Sequence, residues 1–396
     1  MNHLITYGFH KSGHYYLAKA IEQELISRDE SVEIKEFYSP LGDLINKFFF
    51  EIFLEFENKK ITKVPEVIIK EKTLKLMSEI GVEKNKIDFS AYDSVISTHQ
   101  HTTKIIAELK RVNKYSFYLS DSNCNYDEFP LIQDIDINAY FGARPLAEVS
   151  KSVFSRMHNI GIPISPRFKY NSERKEDLIV VVGGTHGMGG IEDSVLNIKK
   201  AKHNYKVVVV TGNNQILREK LSSTINDSRF EITGFVDDLS ELYNRSKVVV
   251  TKGSGMSITE AITSGNILFF PKPNLFWEGI GADYIASKGA GIIFEGNKHD
   301  VERIERLLSH KEIYDWHRNN AMKIVNPNAG KELVDVILQQ KIKPLDNLYF
   351  RVNELKNVFQ RKENLFENSS NLSFSEKKLY SFIKSELNKY FKRMIS

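Results

Sequence analysis

The stretch from Lys247 to Gly291 limits the possible folds of this chain more than any other. Its β-branched run, Val248 to Thr251, is apolar enough to form a strand that is buried on both faces. The turn Gly253-Ser254-Gly255 follows directly, and a helical pattern begins near Ser257. A strand, a glycine turn and a helix N-terminus point backbone N–H groups at a bound anion. Glu260, three residues after Ser257, also fits a capping box. The stretch therefore predicts half of a nucleotide-binding α/β domain.

The same pattern recurs upstream of this stretch. Strand 178–182 leads into a loop, 183–190, that holds five glycines in eight residues. Strand 206–210 leads into Thr211-Gly212-Asn213-Asn214 and a helix to about Leu221, and a further strand is predicted at 267–270. Glycine density after a parallel strand allows a close approach of backbone to phosphate. Strands that alternate with helices indicate a parallel sheet.

The N-terminal half shows a second α/β pattern. Strands are predicted at 3–7, 94–97, 115–119 and 138–141, with one helix from about His14 and another over 145–157. A dinucleotide fingerprint is absent, because Lys11 to His14 reads K-S-G-H rather than G-x-G-x-x-G. The sequence predicts two Rossmann-like domains, 1–166 and 167–340, joined by the proline-punctuated linker 161–166, and an extension, 341–396.

Candidate site residues follow from the ends of the predicted strands, where ligands lie in open α/β sheets. His14 fits a general base or a phosphate contact, and it also fits a helix-terminal histidine whose partners are backbone groups. His99, His101 and Asp121 are candidates by position. A metal site at the two histidines is disfavoured, because they have no carboxylate partner in the pattern.

Two segments could contact a membrane. Residues 41–60 form the densest aromatic cluster, which suits either a core helix or a helix inserted in an interface. Residues 341–396 carry 12 Lys and Arg against 6 Asp and Glu, with apolar residues at helical spacing. This extension fits a basic surface for anionic lipid, or a helix docked on the N-terminal domain or on the partner subunit of a homodimer.

Composition excludes several classes of protein. The formal net charge of +4 is small for 396 residues, so nucleic acid is not an expected partner. The single cysteine, Cys124, rules out a disulfide framework and suits a reducing compartment. No signal peptide and no apolar run of about 18 residues is recognisable. We therefore expect a cytoplasmic protein, with a peripheral position on the inner face of the plasma membrane as the alternative.

Taken together, the motifs resemble the processive diacylglycerol glucosyltransferases and monogalactosyldiacylglycerol synthases. These are GT-B glycosyltransferases related to the enzyme that adds N-acetylglucosamine to peptidoglycan lipid intermediates. The resemblance covers about residues 1–340. Its most specific part, Thr251 to Ala261, reads T-K-G-S-G-M-S-I-T-E-A and is similar to the family's T-K-P-G-G-[LI]-T-[IL]-[ST]-E-A. Gly13-His14 and Ser120-Asp121 resemble the family's G-x-G-H and T-D. The implied fold is α/β of the GT-B type, with two Rossmann-like domains that face each other across a cleft.

The resemblance implies a nucleotide-sugar site on the C-terminal domain. Glu260 would accept hydrogen bonds from the ribose hydroxyls, and the turn at Gly255, Met256 and Ser257 would present backbone amides to the diphosphate. Gly184 and His186 would lie close to the donor on the other side of the pocket. The remaining positions that match donor motifs of the family are Gly13, Gly212, Asn213, Phe235, Val236, Lys252, Ser254, Trp277 and Glu278.

The resemblance also implies a mechanism. An inverting transfer needs a base for the acceptor hydroxyl and electrostatic stabilisation of the departing diphosphate. His14 would face the reaction centre and Asp121 would lie on the acceptor side. Either could be the base, or they could act as a base and its orienting carboxylate. Helix dipoles and backbone N–H groups can stabilise the diphosphate, so we expect no metal and no cofactor besides the UDP-sugar donor.

The leading functional prediction is therefore transfer of a sugar from a UDP-sugar to a hydroxyl acceptor, with a diacylglycerol-type lipid as the acceptor. Two alternatives stay open: a soluble natural-product or peptide acceptor, and a sugar-nucleotide-binding pseudoenzyme that scaffolds partners. The chain departs from the family at three places. Lys11 replaces the first loop glycine, Gly253-Ser254 replaces Pro-Gly, and Trp277 to Gly281 reads W-E-G-I-G in place of Q-E-x-E-N.

Overall fold

The computed structural model describes residues 1–8, 11–37, 87–99, 103, 115–119, 139–142, 157–272, 276–295, 297 and 299–338. The side chains of residues 115–119, 139–142, 157–159, 276, 277 and 280 are not among the described parts. Several features singled out in the sequence lie outside these ranges: the aromatic segment 41–60, the extension 341–396, His101, Asp121 and the predicted helix at 145–156.

Six parallel strands of the described residues form the N-terminal sheet, in the order β2-β1-β3-β4-β5-β6. The predicted strands are confirmed with small shifts at their ends, and Met157, predicted to end a helix, instead begins a strand. β2 was not predicted; its alternation of charged and apolar residues suits an edge strand that is half-buried. The elements are β1 (Asn2–Tyr7), α1 (Gly13–Ile26), β2 (Ser31–Glu36), β3 (Ser94–Ser97), β4 (Tyr115–Leu119), β5 (Ala139–Gly142) and β6 (Met157–Asn159).

The second sheet is also parallel, with the order β12-β11-β10-β7-β8-β9 in the described part of the chain. Its strands are β7 (Leu178–Val182), β8 (Lys206–Val210), β9 (Phe230–Thr233), β10 (Val248–Thr251), β11 (Ile267–Phe270) and β12 (Gly291–Ile293). Its helices are α2 (Ile191–Lys200), α3 (Gln215–Thr224), α4 (Ser240–Arg245), α5 (Gly255–Thr263), α6 (Phe276–Ser287), α7 (His299–Ser309) and α8 (Lys311–Ala321). A last helix, α9 (Ala329–Leu338), follows.

The central strand β7 shows why this sheet needs helices on both faces. All five of its residues are buried. Ile179 and Val181 pack into one apolar cluster, whereas Leu178, Val180 and Val182 pack into another. Successive side chains of a strand point to opposite faces, so each face must be covered. Each buried aliphatic side chain of this kind contributes about 1.5–3 kcal/mol relative to an exposed one.

Each sheet has a switch point, where the strand order reverses and the loops on the two sides diverge. In the N-terminal sheet this point lies between β1 and β3, and in the C-terminal sheet it lies between β7 and β10. The crevice outside the carboxyl ends of strands at a switch point is the usual ligand site of such sheets. The loops that leave these four strands therefore form the candidate site.

The helix α9 returns to the first half of the molecule. Its residues Leu333, Val334 and Ile337 are buried in the same cluster as Leu17 and Ile21 of α1. A half-buried ion pair between Arg28 and Asp335 fixes the end of α1 to the same helix (Arg28 and Asp335 are also hydrogen-bonded). The last described helix thus covers the apolar face of α1. No helix in the described ranges has the length and apolar character needed to cross a bilayer.

Candidate active site

The N-terminal side of the site is the start of α1. Ser12 is the N-cap, and its side chain accepts a hydrogen bond from the backbone N–H of Tyr15. His14 is the second residue of the helix and is half-buried. Its Nδ1 lies 2.5 Å from the carbonyl oxygen of Thr98, at the carboxyl end of β3. The Thr98 hydroxyl in turn donates to the His14 carbonyl at 3.0 Å. The switch point between β1 and β3 therefore places His14.

The Thr98 contact determines the tautomer of His14. A carbonyl oxygen can only accept, so Nδ1 must carry the hydrogen and Nε2 of the neutral ring holds the lone pair. Nε2 is then the atom that can take a proton. The His99 ring packs edge-on against the His14 ring, with centroids 4.8 Å apart. A backbone carbonyl thus occupies the Nδ1 position that a carboxylate would take in a base–carboxylate pair.

The loop before His14 crosses the cleft to the C-terminal domain. The Thr185 hydroxyl, in the loop after β7, donates to the Lys11 carbonyl at 2.6 Å. The Lys11 ammonium lies 4.7 Å from the centre of the Phe235 ring. From α1, the Tyr16 hydroxyl donates to Asp237 Oδ1 at 3.5 Å, and burial and this carboxylate raise the tyrosine pKa. The two switch points therefore face each other.

The glycine turn after β10 starts a helix earlier than predicted. α5 begins at Gly255 with Ser254 as N-cap, so the predicted capping box of Ser257 and Glu260 is wrong. Ser257 lies in the first turn rather than at the cap. Ser254 makes no side-chain cap hydrogen bond, and the first intrahelical bond joins Ile258 N–H to the Ser254 carbonyl. The backbone amides of the first turn are thus oriented as an anion site requires.

The side chain of Met256 has a different role from its amide. It is buried in the cluster that holds Leu17 and Ile21 of α1. The N-terminus of α5 therefore packs directly on the N-terminal domain. The positive ends of α1 and α5 lie on the two sides of one interface, which brings two helix dipoles to the same cleft.

Glu260 lies one turn into α5. Its side chain is half-buried, and burial, with a smaller effect from the Asp238 charge, raises the pKa of its carboxyl to about 8. Its charge also raises the pKa of the Tyr16 hydroxyl from across the cleft, as a minor cause. A carboxyl that is mostly protonated at neutral pH in the free protein can be ionised by hydroxyl groups that donate to it.

The glycines of loop 183–190 are explained mainly by packing within the protein. A Cβ at Gly187 would lie 2.0 Å from the Thr211 carbonyl oxygen, and one at Gly212 would lie 2.5 Å from the Thr185 carbonyl oxygen. The loop after β7 and the turn after β8 are therefore pressed together. The Asn213 N–H donates to the Thr185 carbonyl at 2.8 Å. From the sequence, this glycine density predicted a close approach of backbone to phosphate. The close approach that the structure shows is between two turns of the protein.

The lysine of the glycine turn is bound to the first turn of α6. Lys252 Nζ lies 3.2 Å from Glu278 Oε1, and Glu278 is only 3% exposed. The Lys252 stem runs along the loop after β7, 3.6 Å from the Cβ position of Gly184. Burial, followed by the Lys252 charge, lowers the pKa of the neighbouring His186 to about 4. His186 is therefore a neutral donor or acceptor at pH 7.

Gly253 and Gly281, two positions at which the chain departs from the family motif, are in contact with each other. A Cβ at Gly281 of α6 would lie 2.4 Å from the Gly253 carbonyl oxygen, and a Cβ at Gly253 would lie 1.9 Å from the Glu278 carbonyl oxygen. The backbones of α6 and the glycine turn thus touch. Glycine is required at both positions by this approach. The Trp277 side chain is outside the described parts.

A groove of about 430 Å³ lies beside the loops of the candidate site. It is lined by the turns after β8 and β9, with Gly212, Asn213 and Phe235, and by Arg218 of α3. Val236, next to Phe235, is half-buried and packs against the apolar cluster beneath α5. Of the predicted donor residues, Gly212, Asn213 and Phe235 line this groove. Across the described ranges, no three His, Cys, Asp or Glu side chains are grouped to hold a metal ion.

Sequence reasoning missed three contributors to the site. Thr98 orients His14 through its carbonyl, a group that no side-chain pattern reveals. Thr185 and Lys11 join the two domains, and their pairing depends on how the domains face each other. One signal was available for Lys11: it stands at the place of a glycine in the resembled motif.

Residues 178–337 match the family model described as "Glycosyltransferase family 28 C-terminal domain". A relative named processive diacylglycerol beta-glucosyltransferase, from Bacillus subtilis (strain 168), is 28% identical over 207 residues, which cover 47% of this chain and 54% of the relative. A protein of the same name from Bacillus pumilus is 21% identical over 322 residues, which cover 77% and 78%. In the first of these matches, the chain spans about half the length of its relative.

Solved structures share the architecture. The crystal structure of MurG from Acinetobacter baumannii is similar with a TM-score of 0.58 and 15% identity, over 86% of this chain and 100% of that one. Anabaena Alr3699/HepE in complex with UDP-glucose is similar with a TM-score of 0.51 and 11% identity, over 86% and 100%. The family resemblance read from the motifs is confirmed. The chain therefore has the GT-B fold, and its residues 178–337 are similar to the C-terminal domain of glycosyltransferase family 28.

Proposed function

We propose that this protein is an inverting glycosyltransferase that moves a sugar from a UDP-sugar to a hydroxyl group of a diacylglycerol-type lipid. The observation that carries the proposal is the position of His14. The Thr98 carbonyl leaves the lone pair of the neutral ring on Nε2, and the loop just before His14 contacts Thr185 and Phe235 of the other domain through Lys11. A base on one domain thus adjoins an anion-binding helix start on the other.

The proposed chemistry uses these two sides of the cleft. His14 Nε2 takes the proton of the acceptor hydroxyl as its oxygen attacks the anomeric carbon. The bond from that carbon to the diphosphate breaks, and its electron pair leaves with the diphosphate. Backbone amides at the start of α5 stabilise the leaving charge, and neutral His186 can donate to it. The donor is bound by its ribose at Glu260. These groups supply the stabilisation without a metal, which we propose is not required.

The lipid acceptor is supported by the names of the relatives and by the composition of the chain. Both relatives are named processive diacylglycerol beta-glucosyltransferase. The excess of six positive charges in residues 341–396 suits binding to an anionic membrane surface. High salt would screen this attraction. We propose a peripheral enzyme at the cytoplasmic face of the plasma membrane.

The direct test is an assay of sugar transfer to diacylglycerol in vesicles that contain an anionic lipid. Wild-type protein is supplied with UDP-, GDP- or dTDP-sugars, and products are identified by mass spectrometry. We expect transfer from a UDP-sugar, and a loss of about 10²–10⁴-fold in rate for His14→Ala with UDP affinity retained. His310→Ala, at an exposed histidine before α8, is the matched control. Unchanged transfer by His14→Ala would contradict the proposed base.

The acceptor is tested separately. Flotation with anionic vesicles compares the 396-residue chain with residues 1–340, and we expect the shorter chain to bind more weakly. If neither floats but UDP-sugar is turned over with a soluble alcohol, the acceptor is soluble. If UDP binds and no acceptor yields a product, the protein is a sugar-nucleotide-binding scaffold and the proposed reaction is wrong.

A further inference from the structure

Lys11 has a backbone conformation that few lysines adopt. Its φ is +57°, in the left-handed region where a side chain with a Cβ is disfavoured. The hydrogen bond from Thr185 Oγ1 to its carbonyl, at 2.6 Å, fixes this conformation from the other domain. Backbone conformations of this kind persist where the surroundings enforce them, and they concentrate at ligand sites.

The ammonium group of Lys11 lies in the cleft over the ring of Phe235. It stands 4.7 Å from the centre of the Phe235 ring, and no carboxylate within the described ranges pairs with it. The residue is half-buried. A cation over a ring face is only weakly stabilised when it is partly in water. An anion in the same cleft would therefore be a stronger partner.

The neighbouring charges indicate where such an anion would lie. Lys252, the other lysine of the crevice, is bound to the buried carboxylate of Glu278. The N-termini of α1 and α5 lie on the two sides of the interface, so both helix dipoles present positive ends to it. Of these two lysines, Lys11 is therefore the one without a carboxylate partner among the described residues, and it borders through Phe235 the groove that Arg218 also lines.

We propose that Lys11 binds the diphosphate of the nucleotide sugar from the N-terminal domain. Its ammonium leaves the Phe235 ring when the donor enters and pairs with the phosphate oxygens. During transfer it stabilises the diphosphate as the bond to the anomeric carbon breaks and the electron pair passes to the leaving oxygen. This inference rests on the proposed function, and it assigns a contact to the residue that replaces the family's loop glycine.

The test compares the binding of UDP and of uridine by titration calorimetry. Lys11→Met keeps the length of the stem but removes the charge, and we expect its affinity for UDP to fall about 10-fold because a charge-assisted contact is lost. Its affinity for uridine, which has no phosphate, should not change. Lys11→Arg retains the charge and should stay within about 3-fold of wild type. Lys200→Met, at the exposed far end of α2, is the control for a general loss of charge.

Two further results make the outcome decisive. Lys11→Gly removes the unfavourable conformation, so it should show the same selective loss of UDP affinity without a lower melting temperature. Equal UDP affinity of Lys11→Met and wild type, or an equal loss for UDP and uridine, would overturn the inference while the proposed function stands. If wild-type protein binds no UDP at all, the proposed function is wrong and this inference falls with it.

Discussion

The Thr185 hydroxyl donates a 2.6 Å hydrogen bond to the carbonyl oxygen of Lys11, and this bond joins the loop after β7 to the loop that precedes His14. It is a contact between the two domains at the point where both strand orders reverse. The bond therefore links the loop after β7 directly to the loop that leads to the proposed base.

Replacement of Thr185 by valine tests this coupling. Thr185→Val keeps the shape of the side chain but removes the donor, and we expect a loss of about 1 kcal/mol in the free energy of unfolding. The rate of sugar transfer should fall more than the affinity for UDP, because His14 loses its position relative to the donor. Thr185→Ser, which retains the hydroxyl, is the control. A larger effect on UDP affinity than on rate would show that Thr185 acts on the donor alone.

The protonation of Glu260 should be coupled to nucleotide binding. Its pKa of about 8 leaves the carboxyl mostly protonated at pH 7 in the free protein. Ribose hydroxyls donate more strongly to the ionised form, so UDP binding should lower this pKa and release about one proton.

Calorimetry of UDP binding at pH 7 in two buffers of different ionisation enthalpy measures this release. Glu260→Gln cannot release the proton and serves as the matched variant, which also corrects for protons exchanged by UDP itself. The same proton count for wild type and Glu260→Gln would show that the carboxylate does not receive the ribose.

His186 should lower the stability of the protein in acid. Its folded-state pKa of about 4 is below the ordinary value near 6.5, so the unfolded chain binds the extra proton between these two values. The contribution to stability is therefore fully present above pH 6.5 and is lost as the pH falls to 4, at up to about 1.4 kcal/mol per pH unit.

Urea unfolding of wild type and His186→Asn from pH 7 to pH 4 checks this sign. The variant should lose less stability over the interval than wild type does. His310→Asn, at an exposed position, should follow the wild-type curve. Parallel curves of stability against pH for all three proteins would contradict the lowered pKa of His186.

The backbone contact between α6 and the glycine turn predicts that a methyl group added at Gly281 destabilises the protein. Gly281→Ala would place a Cβ 2.4 Å from the Gly253 carbonyl oxygen, so α6 must shift. We expect a loss of roughly 1–3 kcal/mol in the free energy of unfolding and a lower melting temperature. Gly330→Ala in α9, whose Cβ would make an ordinary 3.7 Å contact with Pro163, should be within about 1 kcal/mol of wild type. Equal melting temperatures for the two variants would show that the turn can yield.

Much of the fold was predictable because local patterns determine it. The buried strands β7, β10 and β11 are short apolar runs between glycine turns and helical segments, and their bounds were predicted closely. β2, β6 and β12 were missed, because β2 is half-charged and the other two have three residues each. The start of α5 was placed two residues late, since the S-x-x-E pattern at Ser257 suggested a cap that the turn geometry does not use.

The site was predictable only where one motif supplies all its parts. Glu260 and the turn at Gly255 lie in one such motif, so the sequence could predict both as parts of the candidate site, and their roles there stay predictions. The orientation of His14 depends on the carbonyl of Thr98, 84 residues away, and a backbone carbonyl leaves no mark in the sequence. The contact between Gly281 and Gly253 also arises from tertiary packing. A comparison of motifs shows only that both glycines differ from the residues of the family.

The return of α9 to the N-terminal domain means that the chain passes between the two halves twice, once through residues 161–166 and once before Ala329. A protease cut within 161–166 should therefore leave the fragments associated, because Leu333 and Ile337 remain packed on α1. For the same reason, a fragment that ends at residue 166 would expose the apolar face of α1 to water. The N-terminal half of the molecule therefore needs α9 from the end of the described chain, and residues 1–166 alone do not contain it.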